Sequence, residues 1–233
     1  MARPPKVDYL RVDFHRSIAS ADRLFQDVLP LSAIRTGHGR LALHVKQVRR
    51  VIELAFLGVC AAWEEFLEET FVRYLAGAAP AAGGGPTLRL GKCDGIEHAY
   101  QVFTANPSHD PTRHFLSWTN PDEVVSMASL YFQGGNPYAP AIGQFIGELR
   151  RSVKLRNRIA HSSQKSVEDF RTTANHYLQP AAVTQGYGVG DLLRVQRRRD
   201  FTGLPPAAPG HVRTYFDAHM DMFRVMADQV VPP

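Results

Sequence analysis

The sequence predicts an all-α protein, and three observations carry that expectation. Apolar residues recur at steps of three and four over several long stretches, as one face of a helix requires. Helix-start and turn residues fall between those stretches, most plainly at Asn120-Pro121 and at Gly134, Gly135, Asn136 and Pro137. Residues 192–195 alone read as a short strand.

Taken in order, the first helix is expected over residues 9–28, with Leu10, Phe14, Ile18, Leu24 and Phe25 at mostly helical spacing. A loop with Gly37 and Gly39 follows. From 41 to 75 the pattern is one long amphipathic helix. Val48, Ile52, Ala55, Val59, Ala62 and Phe66 alternate steps of four and three and hold one stripe towards a partner. Residues 77–86 (GAAPAAGGGP) have little to bury and read as a solvent loop, part of a flexible connection over 77–93. Neither flank of it looks complete alone, so 1–233 reads as a single domain. A shorter helix is expected over 95–104. Asn120 and Pro121 supply an N-cap and a first-turn proline for a helix through Tyr131. Further helices are expected over 138–161 and 166–178. Residues 179–210, rich in Pro, Gly and Arg, read as an irregular insertion. A last helix over 211–230 presents Val212, Tyr215, Phe216, Met222, Phe223 and Met226.

At 233 residues, 44% hydrophobic and 21% charged, the chain can bury a sizeable core and has the composition of a soluble globular protein. The first residues lead into Asp8, Arg11, Asp13 and Arg16 with no apolar leader, and no uninterrupted run of 18 apolar residues suggests a membrane span. Cys60 and Cys93 do not make a disulfide framework, and Cys60 lies in an apolar stretch as a small buried hydrophobe would. A reducing, cytoplasmic setting is expected. The formal charge is +5, from 27 Lys and Arg against 22 Asp and Glu. Its distribution matters more: Arg150, Arg151, Lys154, Arg156 and Arg158 crowd one helix, and Arg194, Arg197, Arg198 and Arg199 form a second cluster. Both favour polyanions such as nucleic acid. Acids gather at Glu64, Glu65, Glu68 and Glu69, by default a solvated helix surface.

The helix over 138–161 carries the chemistry. At roughly 100° per residue, Ile142, Phe145, Ile146, Leu149, Val153 and Ala160 share an apolar arc, and Arg156 falls inside it. A guanidinium there is costly unless it meets a carboxylate, a phosphate or a cleft. Asn157 lies between Arg156 and His161 in angle, so the three can line one groove, with Arg150, Lys154 and Arg158 as further RNA-binding candidates. The set suits RNA, which carries its own nucleophile in the 2′-hydroxyl. An imidazole moves protons near neutral pH. Arginine holds a phosphate bidentately and stabilises the charge that grows in the transition state. Asn157 would orient the imidazole or bind a phosphate oxygen.

The stretch LRNRIAH, from Leu155 to His161, resembles the R-x4-6-H signature of the HEPN superfamily, including its frequent Arg-Asn start. The segment CAAWEEFLEETFVRYL, residues 60–75, resembles that family's long helix, in which an acid commonly precedes an aromatic residue. The loop over 77–93 and residues 179–210 have no counterpart in the likeness. The resemblance implies an antiparallel helical bundle, a homodimer with two motifs facing one cleft, and metal-independent endoribonuclease activity leaving 2′,3′-cyclic phosphate ends. It implies a toxin or antiviral-defence effector, with an antitoxin or defence-system protein as partner. Arg156 and His161 match the catalytic positions and Asn157 the accessory polar one, with Glu64 or Glu65 as the acidic partner.

Plainer readings stand beside these. Arg156 is then an ordinary ion pair with a glutamate, His161 a cap at a helix C-terminus, where the dipole favours a cation, and the protein a silent binding or scaffold member of a defence or toxin–antitoxin complex. A basic helix that merely grips phosphate is a third reading. The other histidines show no metal-ligand spacing, the run Gly83-Gly84-Gly85 lacks the Lys-Ser/Thr of a phosphate loop, and no metal or cofactor is expected.

Overall fold

In the computed structural model, residues 6–37, 39–114, 116–178, 183, 185–197, 201–207 and 212–233 are described. Among them the chain forms eight α-helices and no strand: α1 (Asp8–Val28), α2 (Val45–Leu75), α3 (Ile96–Thr104), α4 (Pro121–Tyr131), α5 (Tyr138–Ala160), α6 (Gln164–Tyr177), α7 (Val189–Leu193) and α8 (Tyr215–Val230). Extended pairing among them is confined to three isolated bridges, such as Gln196 with Thr214. Among the described residues no helix is long and apolar enough to cross a membrane. Cys60 and Cys93 are both buried thiols.

Local sequence explains the starts of α4 and α6. The Asn120 side chain accepts from the Asp122 N–H at 3.1 Å and Pro121 opens the first turn of α4. Ser163 caps α6, its hydroxyl accepting from the Ser166 N–H. On α1 the buried positions are Phe14, Ile18, Ala21, Phe25 and Val28, steps of four, three, four and three. Leu24, expected on that stripe, is 44% exposed because it falls one residue short of the repeat.

The fold divides into two compact units, each built from discontinuous chain. Unit 1 comprises Met1–His15, Ala62–Ile146 and Arg224–Pro233; unit 2 comprises Arg16–Ala61 and Gly147–Phe223. All four crossings between them fall inside helices, namely α1, α2, α5 and α8.

Unit 1 is organised around Phe71, fully buried, whose ring meets those of Phe103, Trp118, Tyr131, Phe132 and Tyr138 at centroid distances of 4.9–5.9 Å. Burying one such ring contributes about 2–3 kcal/mol. The Tyr138 phenol reaches Thr70 Oγ1 at 2.9 Å and the Tyr74 phenol donates to the Val230 carbonyl at 2.7 Å, so neither is buried unsatisfied. The segment 77–93 is irregular and exposed over 81–84 and at Leu90, and it is also tied down at several points. Ala78 and Cys93 are buried, and the Ala81 N–H donates to Asp8 Oδ1. Leu88 forms a bridge with Phe132, and the Cys93 N–H reaches the Leu75 carbonyl. Backbone groups, invisible to a composition argument, supply most of those ties.

Unit 2 has an aromatic core in which Tyr177 stacks near Tyr215 and Phe201, and Phe25 lies parallel to Phe216 at 4.4 Å. Residues 192–195, expected as a strand, instead complete the short helix α7 and its exit. The Gly188 N–H donates to Asp191 Oδ2 and the Asp191 N–H to the Gly188 carbonyl, a reciprocal cap that closes a helical turn. The last helix starts at Tyr215 rather than 211. Val212 lies before it, 58% exposed, while the other five apolar residues expected on its buried face are buried. His211 and the Arg198-Arg199 part of the arginine run lie outside the described residues.

Candidate functional site on helix α5

Helix α5 bends at Phe145 (φ −117°, ψ 16°), and beyond the bend its buried positions are Leu149, Ser152 and Leu155. Val153 is half-buried and Ala160 exposed, although both were expected inside the apolar arc. Straight-wheel angles do not carry unchanged past the non-helical Phe145, although Leu149 just beyond it stays buried as expected. Arg156 survives the correction. It lies beside the buried edge and is half-buried, with Nη1 at 3.4 Å from Asn157 Oδ1.

His161 lies just past the last helical residue. Its N–H makes the final helical bond, to the Asn157 carbonyl at 2.8 Å. Its own carbonyl accepts from Arg158 Nη1 at 3.2 Å and from the Ser166 hydroxyl at 3.0 Å, which fixes the turn His161–Ser163 between α5 and α6. The imidazole itself is exposed and meets no hydrogen-bonding partner among the described residues. The backbone is therefore ordered while the ring stays open to a ligand. The structure brings Arg156 to Asn157 and ties His161 to both Asn157 and Arg158 through the main chain. It does not bring the imidazole onto either side chain.

Of the flanking cations, Arg150 is exposed and Lys154 Nζ lies 3.8 Å from Asp169, which Lys165 also approaches at 2.9 Å. Arg158 has no carboxylate partner among the described residues. Glu64 is half-buried and Glu65 exposed, and both belong to unit 1. The acid of that run with the most specific surroundings is Glu68, expected to be solvated like its neighbours. It accepts from the Tyr100 phenol and from Trp118 Nε1, each at 2.9 Å. Burial raises its carboxyl above the usual range, and those two hydrogen bonds only partly offset the rise. Glu69 pairs with Arg73 at 2.7 Å.

Three further ionisable groups of unit 2 went unnoticed in the sequence. Glu148 accepts from both Arg151 and Tyr177. Asp191 is 2% exposed, with Arg49 Nε at 2.6 Å and Arg194 Nη2 at 3.1 Å. His219 is fully buried against Phe56 and Phe201, with Nδ1 at 2.6 Å from the Tyr215 carbonyl. The signal was present for His219 alone, whose position falls within the apolar run of α8. Among the described residues no three His, Cys, Asp or Glu side chains are grouped so as to hold a metal ion. Comparison of the chain with protein-family models, with curated proteins and with solved structures gave no match in any of the three.

Proposed function

We propose that this chain is a metal-independent endoribonuclease of HEPN type, working in the cytoplasm as a homodimer and serving as a toxin or antiviral-defence effector. The observation that carries the reading is the pairing of an exposed, unengaged His161 imidazole with a half-buried Arg156 held beside Asn157 one turn away. In the reaction an imidazole takes the proton of the 2′-hydroxyl as its oxygen attacks phosphorus. The P–O5′ bond breaks, and the leaving oxygen picks up a proton to become a 5′-hydroxyl, leaving a 2′,3′-cyclic phosphate. Arg156 holds the non-bridging oxygens as their charge grows. A second motif from the other protomer would supply the acid that one imidazole cannot be at the same moment. RNA is the substrate, and an antitoxin or defence-system protein is the further partner this reading expects.

A silent binding or scaffold role is the second reading. It is favoured by the angle between Arg156 and His161, roughly 140° around the helix, and by the lack of contact between that imidazole and either neighbour. One experiment separates the two. Purified protein is incubated with total RNA in excess EDTA beside His161→Ala and Arg156→Ala, and product ends are mapped. Cleavage that persists in EDTA, leaves cyclic-phosphate ends and drops about 10²–10⁴-fold in His161→Ala supports the ribonuclease. Equal, background-level products from all three proteins, with and without added metal, would leave the binding role.

A further inference from the structure

Unit 2 contains a cavity of about 630 Å³ immediately beside the candidate motif. Its walls are Arg158 of α5, Phe170, Arg171 and Asn175 of α6, and the segment from Gln185 to Gly188. Two arginines and no carboxylate are among the described residues that line it. Neither arginine has a carboxylate partner among the described residues; Arg158 is spent only on the His161 carbonyl. A second cavity, in unit 1, is lined by Gln133, Asn136, Gln144, Gln229, glycines and prolines, with no ionisable group to select a ligand.

The surroundings sharpen the preference for an anion. The segment carrying Tyr187 and Gly188 is anchored by Arg49, whose Nη1 donates to the Gly186 carbonyl at 3.4 Å while Nε pairs with Asp191. Arg194 shares that carboxylate, and Glu53 is taken up by the Gly190 N–H and Arg50. Three arginines thus meet two carboxylates behind this wall. On α6, Asp169 is matched by Lys154 and Lys165, and Glu168 accepts from Gln164. Among the described residues, the cavity's own two arginines meet no carboxylate and so face an incoming ligand.

We propose that this cavity binds one nucleotide of a single-stranded RNA, with Arg158 and Arg171 on the phosphate and Asn175, Gln185 and Tyr187 on the base. The volume lies within the usual range for small-ligand sites, roughly 300–1,000 Å³, and far exceeds what a bare phosphate would fill. Two carboxamides offer paired donors and acceptors for a base edge, and the half-buried Tyr187 ring offers a stacking face. Burial pushes the Tyr187 phenol up to about 12, so it remains a hydrogen-bond donor throughout the neutral range. Arg158 joins the cavity to the motif, since its guanidinium holds the carbonyl of His161. A strand seated here runs its next phosphate towards that imidazole. This register rests on the ribonuclease reading, whereas the binding does not.

The test measures binding of a 2′-O-methyl RNA tetramer, which has no free 2′-hydroxyl and is not cut by that route. Wild-type protein is compared with Arg171→Gln and Asn175→Ala, both at exposed positions, and with Arg113→Ala, an exposed arginine of unit 1. The expected result is a Kd weakened about tenfold in Arg171→Gln and about fivefold in Asn175→Ala, with Arg113→Ala as wild type. Nucleoside monophosphates are also expected to bind wild-type protein at least about tenfold tighter than inorganic phosphate. Unchanged tetramer binding in both cavity variants would overturn the proposal, as would equal affinity for phosphate and nucleotide. A tetramer that binds as expected to a protein cutting no RNA sinks the ribonuclease reading and leaves the cavity's role standing.

Discussion

The phenol of Tyr177 donates to Oε2 of Glu148 at 2.5 Å, on the same oxygen that takes the Arg151 Nε–H at 3.0 Å. One carboxylate thereby joins α6 to α5 on the helix pair that carries the candidate motif. Burial alone would raise the Glu148 carboxyl, but the hydrogen bonds from Arg151 and Tyr177 outweigh it and the net shift is downward. Glu148→Ala leaves a guanidinium and a buried phenol without their acceptor, and the expected loss is about 2–3 kcal/mol in denaturant unfolding. Tyr177→Phe, which keeps the ion pair, costs about 1 kcal/mol. Equal effects from the two variants would mean that the Tyr177 phenol carries the whole loss and the Arg151 pair adds nothing.

His219 makes stability depend on pH. Burial lowers its pKa to about 4, against the opposing pull of the Tyr215 carbonyl and of Glu148 and with Arg151 adding to the fall. The unfolded chain takes up this proton below about 6.5, the folded chain only near 4. The neutral ring therefore contributes stability that is complete above pH 6.5 and is lost as the pH falls towards 4. The loss is about 3 kcal/mol across that window. In urea unfolding at pH 7, 5.5 and 4.5, His219→Phe should show a shallower decline than wild type, since both share every carboxylate. Parallel declines would assign the acid sensitivity elsewhere.

Ala105 ends α3 in the left-handed conformation, φ 51° and ψ 30°, with its N–H bonded to the Gln101 and Val102 carbonyls. A β-carbon is strained there, and glycine is the usual solution. Ala105→Gly is expected to raise stability by about 0.5–1 kcal/mol, the relief of strain exceeding the added freedom of the unfolded chain. A lower unfolding midpoint in that variant would contradict the cap geometry.

Two glycines are expected to respond in opposite senses. A Cβ on Gly190 would stand 2.5 Å from the Arg49 carbonyl oxygen and 2.9 Å from its Cα, so α7 lies directly on the backbone of α2. Gly190→Ala should cost about 2 kcal/mol or more, because backbone cannot move aside. A Cβ on Gly58, exposed within α2, would meet nothing within 4 Å, and Gly58→Ala should add up to about 1 kcal/mol of helix propensity. Thermal midpoints of the two variants check both signs.

Arg156 offers a test of geometry rather than charge. Arg156→Lys retains the cation but not the planar fork, so on the proposed ribonuclease reading RNA cleavage should fall at least about tenfold while the helix remains intact. Activity equal to wild type would show that only the charge is used.

Much of the fold was legible because its signals are local. The cap at Asn120, the turn at Gly134 to Pro137 and the steps of three and four on α1 and α2 each lie within a few residues of chain. What escaped depends on partners distant in sequence. The ties on residues 77–93 come from Asp8, Leu75 and Phe132; the helix at 189–193 is fixed by Asp191 meeting Arg49; and Glu68 is set apart from its three neighbours by Tyr100 and Trp118. The site was legible in part. Arg156 was expected on the buried side and is half-buried, but Val153 and Ala160 left the arc beyond the bend at Phe145, which Gly143 and Gly147 flank and which a hydropathy pattern does not show.

The discontinuity of unit 1 has a consequence for how the chain is made. Among the described residues, the Tyr74 phenol finds its acceptor at Val230, and Arg11 and His15 find their carboxylate at Asp228. Residues 62–146 leave the ribosome well ahead of Arg224–Pro233, and at about 5–20 residues per second the gap is roughly 4–15 s. For that interval a nascent aromatic cluster waits without its closing segment. The protein's exposure to chaperones and proteases is thus set by the order of synthesis as much as by the stability of the finished fold.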